Sequence, residues 1–205
     1  MKGEKKTMKK VLITAFEPFL DVATNSSYEA LKAVPELIDD KQVIKEGLPV
    51  SYRRTPEELK QLIEKHRPDV VISLGQAAGR TKVNLERVAV NLMDANAADN
   101  DGLVLHDAVI AQDGPVGYFT KLPVRKMYDH AQELDLPIDF SLSAGGYICN
   151  LTMYTILALC ETEYPDMIGG FIHVPLYDGQ VEDTSKPSLP LNVITQCIME
   201  MIRCL

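Results

Sequence analysis

Short apolar runs alternate with amphipathic stretches along most of the chain. Residues 10–15 (Lys-Val-Leu-Ile-Thr-Ala) and 69–75 (Asp-Val-Val-Ile-Ser-Leu-Gly) are near-continuous apolar runs of strand length, typical of strands covered on both faces. Residues 170–175 form another, stopped by Pro175, and residues 43–50 a further strand. Residues 138–142 are expected to form a buried, central strand. Residues 83–91 partly alternate, as a strand with one solvated face would. Residues 94–102 are polar and predict a loop, and 108–111 a short strand.

The stretches between show the helical period. Asn25 or Ser26 can cap a helix over 27–34, with Glu29 in its first turn. Thr55-Pro56-Glu57-Glu58 combines a cap, a proline at the first position and an acidic first turn, and Leu59, Leu62 and Ile63 continue the pattern toward His66. Residues 123–134 carry Val124, Met127, Tyr128 and Ala131 at helical spacing. Ser188 is expected to cap a last helix with Leu191, Ile194, Ile198 and Met201 on one face. Strands alternating with helices predict an α/β fold: a single-domain, three-layer α/β/α sandwich around a twisted, largely parallel sheet. The domain is expected to span 9–205, behind a disordered or tag-like tail over 1–8.

Composition narrows the function. A chain of 205 residues, 46% hydrophobic and 24% charged, fits a globular domain able to bury a sizeable core without staples. A net charge of −8 argues against nucleic acid and anionic membranes as partners. The only basic run lies within 2–10, before an apolar stretch too short for a signal core or a membrane span. Met8 can serve as a start. The expected location is the cytoplasm, with reduced thiols. None of the four cysteines forms a CxxC pair or clusters with histidine at zinc spacing.

The candidate chemistry centres on Ser143-Ala144-Gly145-Gly146-Tyr147-Ile148-Cys149-Asn150. The two glycines permit a tight turn after the strand, and the apolar run 151–160 is too long and Leu-rich for another strand. Strand, turn and helix then place Cys149 in the first helical turn. Free N–H groups and the helix dipole favour a thiolate there and can stabilise an oxyanion. A buried structural cysteine is the alternative on this stretch alone. Cys160 and Cys197 sit in apolar helical patterns as packing residues, and Cys204 lies at the terminus. A thiol nucleophile needs a base. His66 is expected to face solvent, and His106 and His130 have polar surroundings. His173 ends an apolar strand, where parallel sheets build their sites. Glu86 lies in a mostly apolar strand, and a histidine partner would account for a buried carboxylate; an edge facing water is the other reading. Gly75-Gln76-Ala77-Ala78-Gly79-Arg80 does not match a phosphate-binding glycine loop, which removes nucleotide binding.

Together, Phe16-Glu17-Pro18-Phe19, Gly75-Gln76-Ala77-Ala78-Gly79-Arg80, Glu86-Arg87-Val88-Ala89-Val90-Asn91, Ala144-Gly145-Gly146-Tyr147-Ile148-Cys149-Asn150 and Gly170-Phe171-Ile172-His173-Val174-Pro175 resemble the pyroglutamyl peptidase I (pyrrolidone carboxyl peptidase) family in order and spacing. The likeness covers residues 9–205. It implies a cytosolic cysteine exopeptidase that removes N-terminal 5-oxoproline from peptides and needs no metal or cofactor. It also implies a homo-oligomer, tetramer or dimer. By the same likeness Cys149 is the nucleophile, His173 the base and Glu86 its orienting carboxylate. Phe16, Phe19, Gln76, Tyr147 and Ile148 would line an apolar lactam pocket, with Gln76 supplying a complementary amide. The chain departs from the family pattern in places. Leu20-Asp21 stand where two glycines are usual, Asn96 replaces an arginine near the scissile carbonyl, and Val50 stands where a small polar residue is common. These departures keep two other readings open: an amidase or peptidase of the same fold with shifted substrate choice, and a non-catalytic binder of lactam or peptide termini.

Overall fold

A computed structural model describes residues 8–18, 24–181 and 186–205. Residues 1–7 of the tail expected over 1–8, Phe19 and Leu20-Asp21 lie outside the described residues. The strands are β1 (Lys9–Phe16), β2 (Leu37–Ile38), β3 (Lys41–Leu48), β4 (Val70–Gln76), β5 (Val83–Glu86), β6 (Val88–Val90), β7 (Gly117–Phe119), β8 (Ile138–Ser141), β9 (Ile168–Val174), β10 (Leu176–Tyr177) and β11 (Ser188–Leu189). The helices are α1 (Ser26–Ala33), α2 (Arg54–His66), α3 (Val124–Glu133), α4 (Ile148–Thr162) and α5 (Leu191–Arg203), with a 3₁₀ turn at Asp178–Gln180.

The main sheet has seven strands in the order β2-β3-β1-β4-β9-β5-β8. Pairing is parallel except where β2 meets β3 and β5 meets β9. Helices cover both faces, which is the three-layer α/β/α sandwich that the alternation of strands and helices predicts. One core packs α1, α3 and α5 against Ile13, Ile72, Leu74, Leu85, Ile172 and their neighbours. The other packs α2 and α4 against Leu12, Phe16, Val71 and Phe171. Successive strand residues point to opposite faces, so β1, β3, β4 and β9 divide their side chains between the two cores.

Several local expectations are corrected. Residues 138–142 do not form a central strand: β8 lies at the sheet edge and Leu142 is 70% exposed. An apolar run is expected for a covered strand, but lateral position is fixed by which strands pair. Residues 83–91 split into β5, buried throughout, and β6, which leaves the main sheet to pair with β7. Residues 108–111 contribute a single bridge, Met93 to Ala108, and no strand. Ser188 belongs to β11, and α5 starts after Pro190. Thr55 is not the cap of α2. It sits in the first turn and donates its hydroxyl to Pro49 O at 2.7 Å, while Ser51 Oγ accepts from Arg54 N at 3.0 Å. Asn25 does cap α1, with Oδ1 accepting from Ser27 N at 3.0 Å. His66 is not solvent-facing but bonded to Glu46 at 2.7 Å, and Cys204 is buried.

Candidate active site

The turn from β8 into α4 is shaped by its glycines. Gly145 has φ +81°, a conformation that suits a residue without Cβ. Gly146 packs directly on the backbone of Asp94, whose N–H donates to Gly146 O at 2.8 Å. The chain can then enter α4 at Ile148, and Cys149 is its second residue. The first N–H closed within the helix is that of Leu151, bonded to Tyr147 O at 3.2 Å. The N–H groups of Ile148, Cys149 and Asn150 therefore precede the helical ladder and point out of its positive end.

Alternation along the strands decides what Cys149 meets. On β9, Ile172 and Val174 face the α1/α3/α5 core, so His173 faces the α2/α4 side together with Phe171. On β5, Val83 and Leu85 face the first core, so Glu86 also points to the Cys149 side. Glu86 is fully buried at 0% exposure, and its Oε1 lies 2.8 Å from His173 Nδ1. That bond leaves Nε2 of the ring for the other side, where His173 interacts with the Cys149 side chain. Burial pushes the His173 pKa down. Negative charge and hydrogen bonding at Cys149, with the Glu86 hydrogen bond, outweigh burial and hold it up to about 9. The ring is therefore poised to carry a proton beside the Cys149 sulfur.

Gly75 completes this floor. Its missing side chain points at Cys149 Sγ and the Phe171 ring. Phe171 stacks obliquely on His173, with ring centroids 4.9 Å apart, and faces Phe16 at 6.4 Å. Phe16 is thus on the Cys149 side, and Ile148 is buried in the same core. Tyr147 packs edge-on to Tyr52 at 5.5 Å and donates its hydroxyl to Ala98 O at 2.9 Å. Gln76 is different. As the residue after Gly75 it turns to the opposite face, and its Oε1 accepts from Ser26 N at 2.8 Å and from Gln180 Nε2 at 2.7 Å. Both carbonyl lone pairs are taken, so only its Nε2 is left as a donor.

Sequence reading missed the residues that hold these pieces together. Asn150 accepts from Val90 N at 3.0 Å and donates to Val90 O and Leu92 O at 2.8 and 2.9 Å, tying the start of α4 to β6. Asp99, 3% exposed, accepts from Tyr52 N, Asp101 N and Leu103 N and fixes the loop over the glycine turn. Asn96 is exposed on that loop. The signal for Asn150 was its place directly after Cys149 in an otherwise apolar helix. His106 and His130 pair with Asp94 and Glu200, away from Cys149. Among the described residues no three His, Cys, Asp or Glu side chains converge as a metal cage would require.

Many known proteins are similar to this chain in sequence and in fold. The pyroglutamyl peptidase family model matches residues 9–204. The chain is 42% identical over 197 residues to the pyrrolidone-carboxylate peptidase of Thermosipho africanus, covering 96% of each. It is 40% identical over 191 residues to that of Bacillus subtilis, covering 93% of this chain and 89% of the relative. The crystal structure of pyroglutamyl peptidase I from Bacillus amyloliquefaciens superposes with a TM-score of 0.92 at 34% identity, covering 96% of this chain and 94% of that one. Pyrrolidone carboxyl peptidase from Thermococcus litoralis gives 0.92 at 36% identity, covering 96% and 93%. By near-complete family match, identity and superposition alike, this chain belongs to the pyroglutamyl peptidase family.

Proposed function

We propose that the protein hydrolyses the bond after an N-terminal pyroglutamyl residue, with Cys149 as nucleophile, His173 as acid and base, and Glu86 orienting His173. The observation that carries this reading is the fully buried Glu86 carboxylate 2.8 Å from Nδ1 of a histidine whose other side meets Cys149. In the first half-reaction the Cys149 thiolate attacks the pyroglutamyl carbonyl carbon. The N–H groups at the start of α4 stabilise the oxyanion. The His173 imidazolium gives its proton to the departing amine, leaving a thioester. His173 then takes a proton from water, the hydroxide displaces the thiolate, and free pyroglutamate leaves. Glu86 keeps the ring oriented and stabilises its cation throughout.

The lactam pocket is assigned to Phe16, Phe19, Gln76, Tyr147 and Ile148, with Gln76, at the carboxyl end of β4, contributing its Nε2 from the α1 side of the sheet. Phe16 and Ile148 support an apolar floor beside Cys149, and no acid stands among the five to receive a free ammonium. Hydrolysis of a pyroglutamyl coumarin amide beside alanyl and prolyl amides tests the assignment. Turnover of the pyroglutamyl compound alone, abolished in Cys149→Ala, is expected. A Cys149→Ala variant with full activity refutes the mechanism, and preference for another amide moves the reading to a related amidase, which Asn96 in place of the family's arginine would favour. Binding without turnover would instead mark a non-catalytic binder.

We further assign the enzyme to the cytoplasm as a homotetramer or homodimer acting on peptides. No helix among the described residues is long and apolar enough to cross a membrane. Val116 and Phe119, 90% and 76% exposed at the β6–β7 ribbon, support a self-association face. Sedimentation of the purified chain tests it, and a monomer at micromolar concentration would refute it.

A further inference from the structure

We propose that Arg80 is a positioning residue for this site, bracing the Glu86 carboxylate and tying it to the strand that leads into the Cys149 helix. The proposal rests on the assignment of Cys149, His173 and Glu86 as the reacting set. Glu86 is fully buried, and its Oε2 has no hydrogen-bond partner among the described residues. Its described polar contacts converge on Oε1: His173 Nδ1 at 2.8 Å and Arg80 Nη2 at 3.6 Å. A buried carboxylate held through one oxygen by one histidine is poorly fixed in rotation and poorly compensated in charge. Arg80 supplies both restraints. At 3.6 Å it acts mainly through charge, so it does not displace the shorter bond to His173.

The placement of Arg80 follows from the fold. It ends the Gly75–Arg80 block, which runs from the last residues of β4 into the connection to β5 and which nucleotide binding could not explain. Its Nη2 also donates to Ser141 Oγ at 3.3 Å. Ser141 is the β8 residue paired in register with Glu86, and its hydroxyl lies 3.3 Å from Ser143 O in the segment running into the glycine turn. One guanidinium thus links the connection after β4, the carboxylate on β5 and the end of β8. Groups facing His173 are Cys149 from α4 and Glu86 from β5; Glu86 is faced by His173 from β9, Arg80 from the β4–β5 connection and neutral Ser141 from β8.

The test compares Arg80→Met, Arg80→Lys and Glu86→Gln in the full chain, measuring kcat, KM, melting temperature and the pH profile with a pyroglutamyl coumarin amide. Arg80→Met should lower kcat by roughly tenfold or more through loss of alignment, with KM within about twofold. Removing the positive charge should also move the alkaline limb to higher pH, because the His173 cation is then less opposed. Arg80→Lys keeps the charge and should recover most of the rate and the limb. A purely structural role would lower the melting temperature without moving the limb. Wild-type kcat and an unmoved limb in Arg80→Met, with Glu86→Gln impaired, overturn the proposal while leaving the reacting set intact. Full activity in Glu86→Gln overturns the reacting set itself. If Arg80→Met is insoluble, Arg80→Gln takes its place: a limb that differs from that of Arg80→Lys supports the proposal, and identical limbs overturn it.

Discussion

Replacing Gly75 by alanine places a methyl group where the structure has no room for one. A Cβ there would stand 2.7 and 2.9 Å from Phe171 Cζ and Cε1, and 2.9 Å from Cys149 Sγ. Carbon contacts relax to about 3.5–4.0 Å, so each neighbour must retreat by roughly half an ångström to one ångström. Phe171 is fully buried between Phe16 and His173, in an interior packed too densely to yield. Overpacking of this kind destabilises by about 1–3 kcal/mol. The larger effect falls on chemistry, because the methyl pushes Sγ directly and His173 through the Phe171 ring. A displacement near 1 Å lowers the rate by up to ~10²-fold, or about 2.7 kcal/mol of barrier. The assay is kcat/KM on a pyroglutamyl coumarin amide, with melting temperature and the rate of Cys149 alkylation measured alongside. Gly102→Ala is the control. Gly102 has φ +80° and open space around it, so that change should lower stability by about 1 kcal/mol and leave activity unchanged. Wild-type kcat/KM in Gly75→Ala would refute the placement of Cys149 against the end of β4.

Iodoacetamide should label half-buried Cys149 first, since burial pushes the Cys160 thiol up to about 11 and that of Cys197 up to about 12; equal labelling of Cys160 would contradict this. For His173, the folded pKa of about 9 lies above the ordinary 6.5, so protonation stabilises the fold below about pH 6.5 and that contribution is lost as pH rises through about 9. The stability gap between wild type and His173→Gln should therefore be widest at low pH and close toward pH 9–10, as read by urea unfolding; a gap that widens with pH would reverse the sign. Asn150→Ala strands Val90 N–H and the Val90 and Leu92 carbonyls, and should lower stability by about 2–4 kcal/mol by the same measurement, with no loss indicating that water replaces the side chain. Gln76→Leu should weaken kcat/KM for pyroglutamyl substrates by about 1–3 kcal/mol, and a larger fall in stability than in activity would make Gln76 a tether for α1 instead.

Local chemistry alone determined much of this protein. Apolar runs of strand length between amphipathic stretches specify a sheet with helices on both faces. The glycine pair followed by a long apolar run specifies a turn into a helix, with Cys149 in its first turn. A glutamate inside an apolar strand needs a buried partner, and a histidine at a strand end is a suitable one. What local pattern does not contain is lateral order and long-range contact. Residues 138–142 look like a central strand, yet β8 sits at the edge, because strand order depends on hydrogen bonding to β5 and not on its own composition. Residues 83–91 look like one strand, yet the chain breaks after Glu86 so that β6 can pair with β7 and receive Asn150. Gln76 follows Gly75 in sequence, but a period of two sends it to the other face of the sheet. The bond between His173 and Glu86 spans 87 positions, and that between Arg80 and Ser141 spans 61. Only the packed sheet, by setting β5 between β9 and β8, brings those side chains within reach of one another.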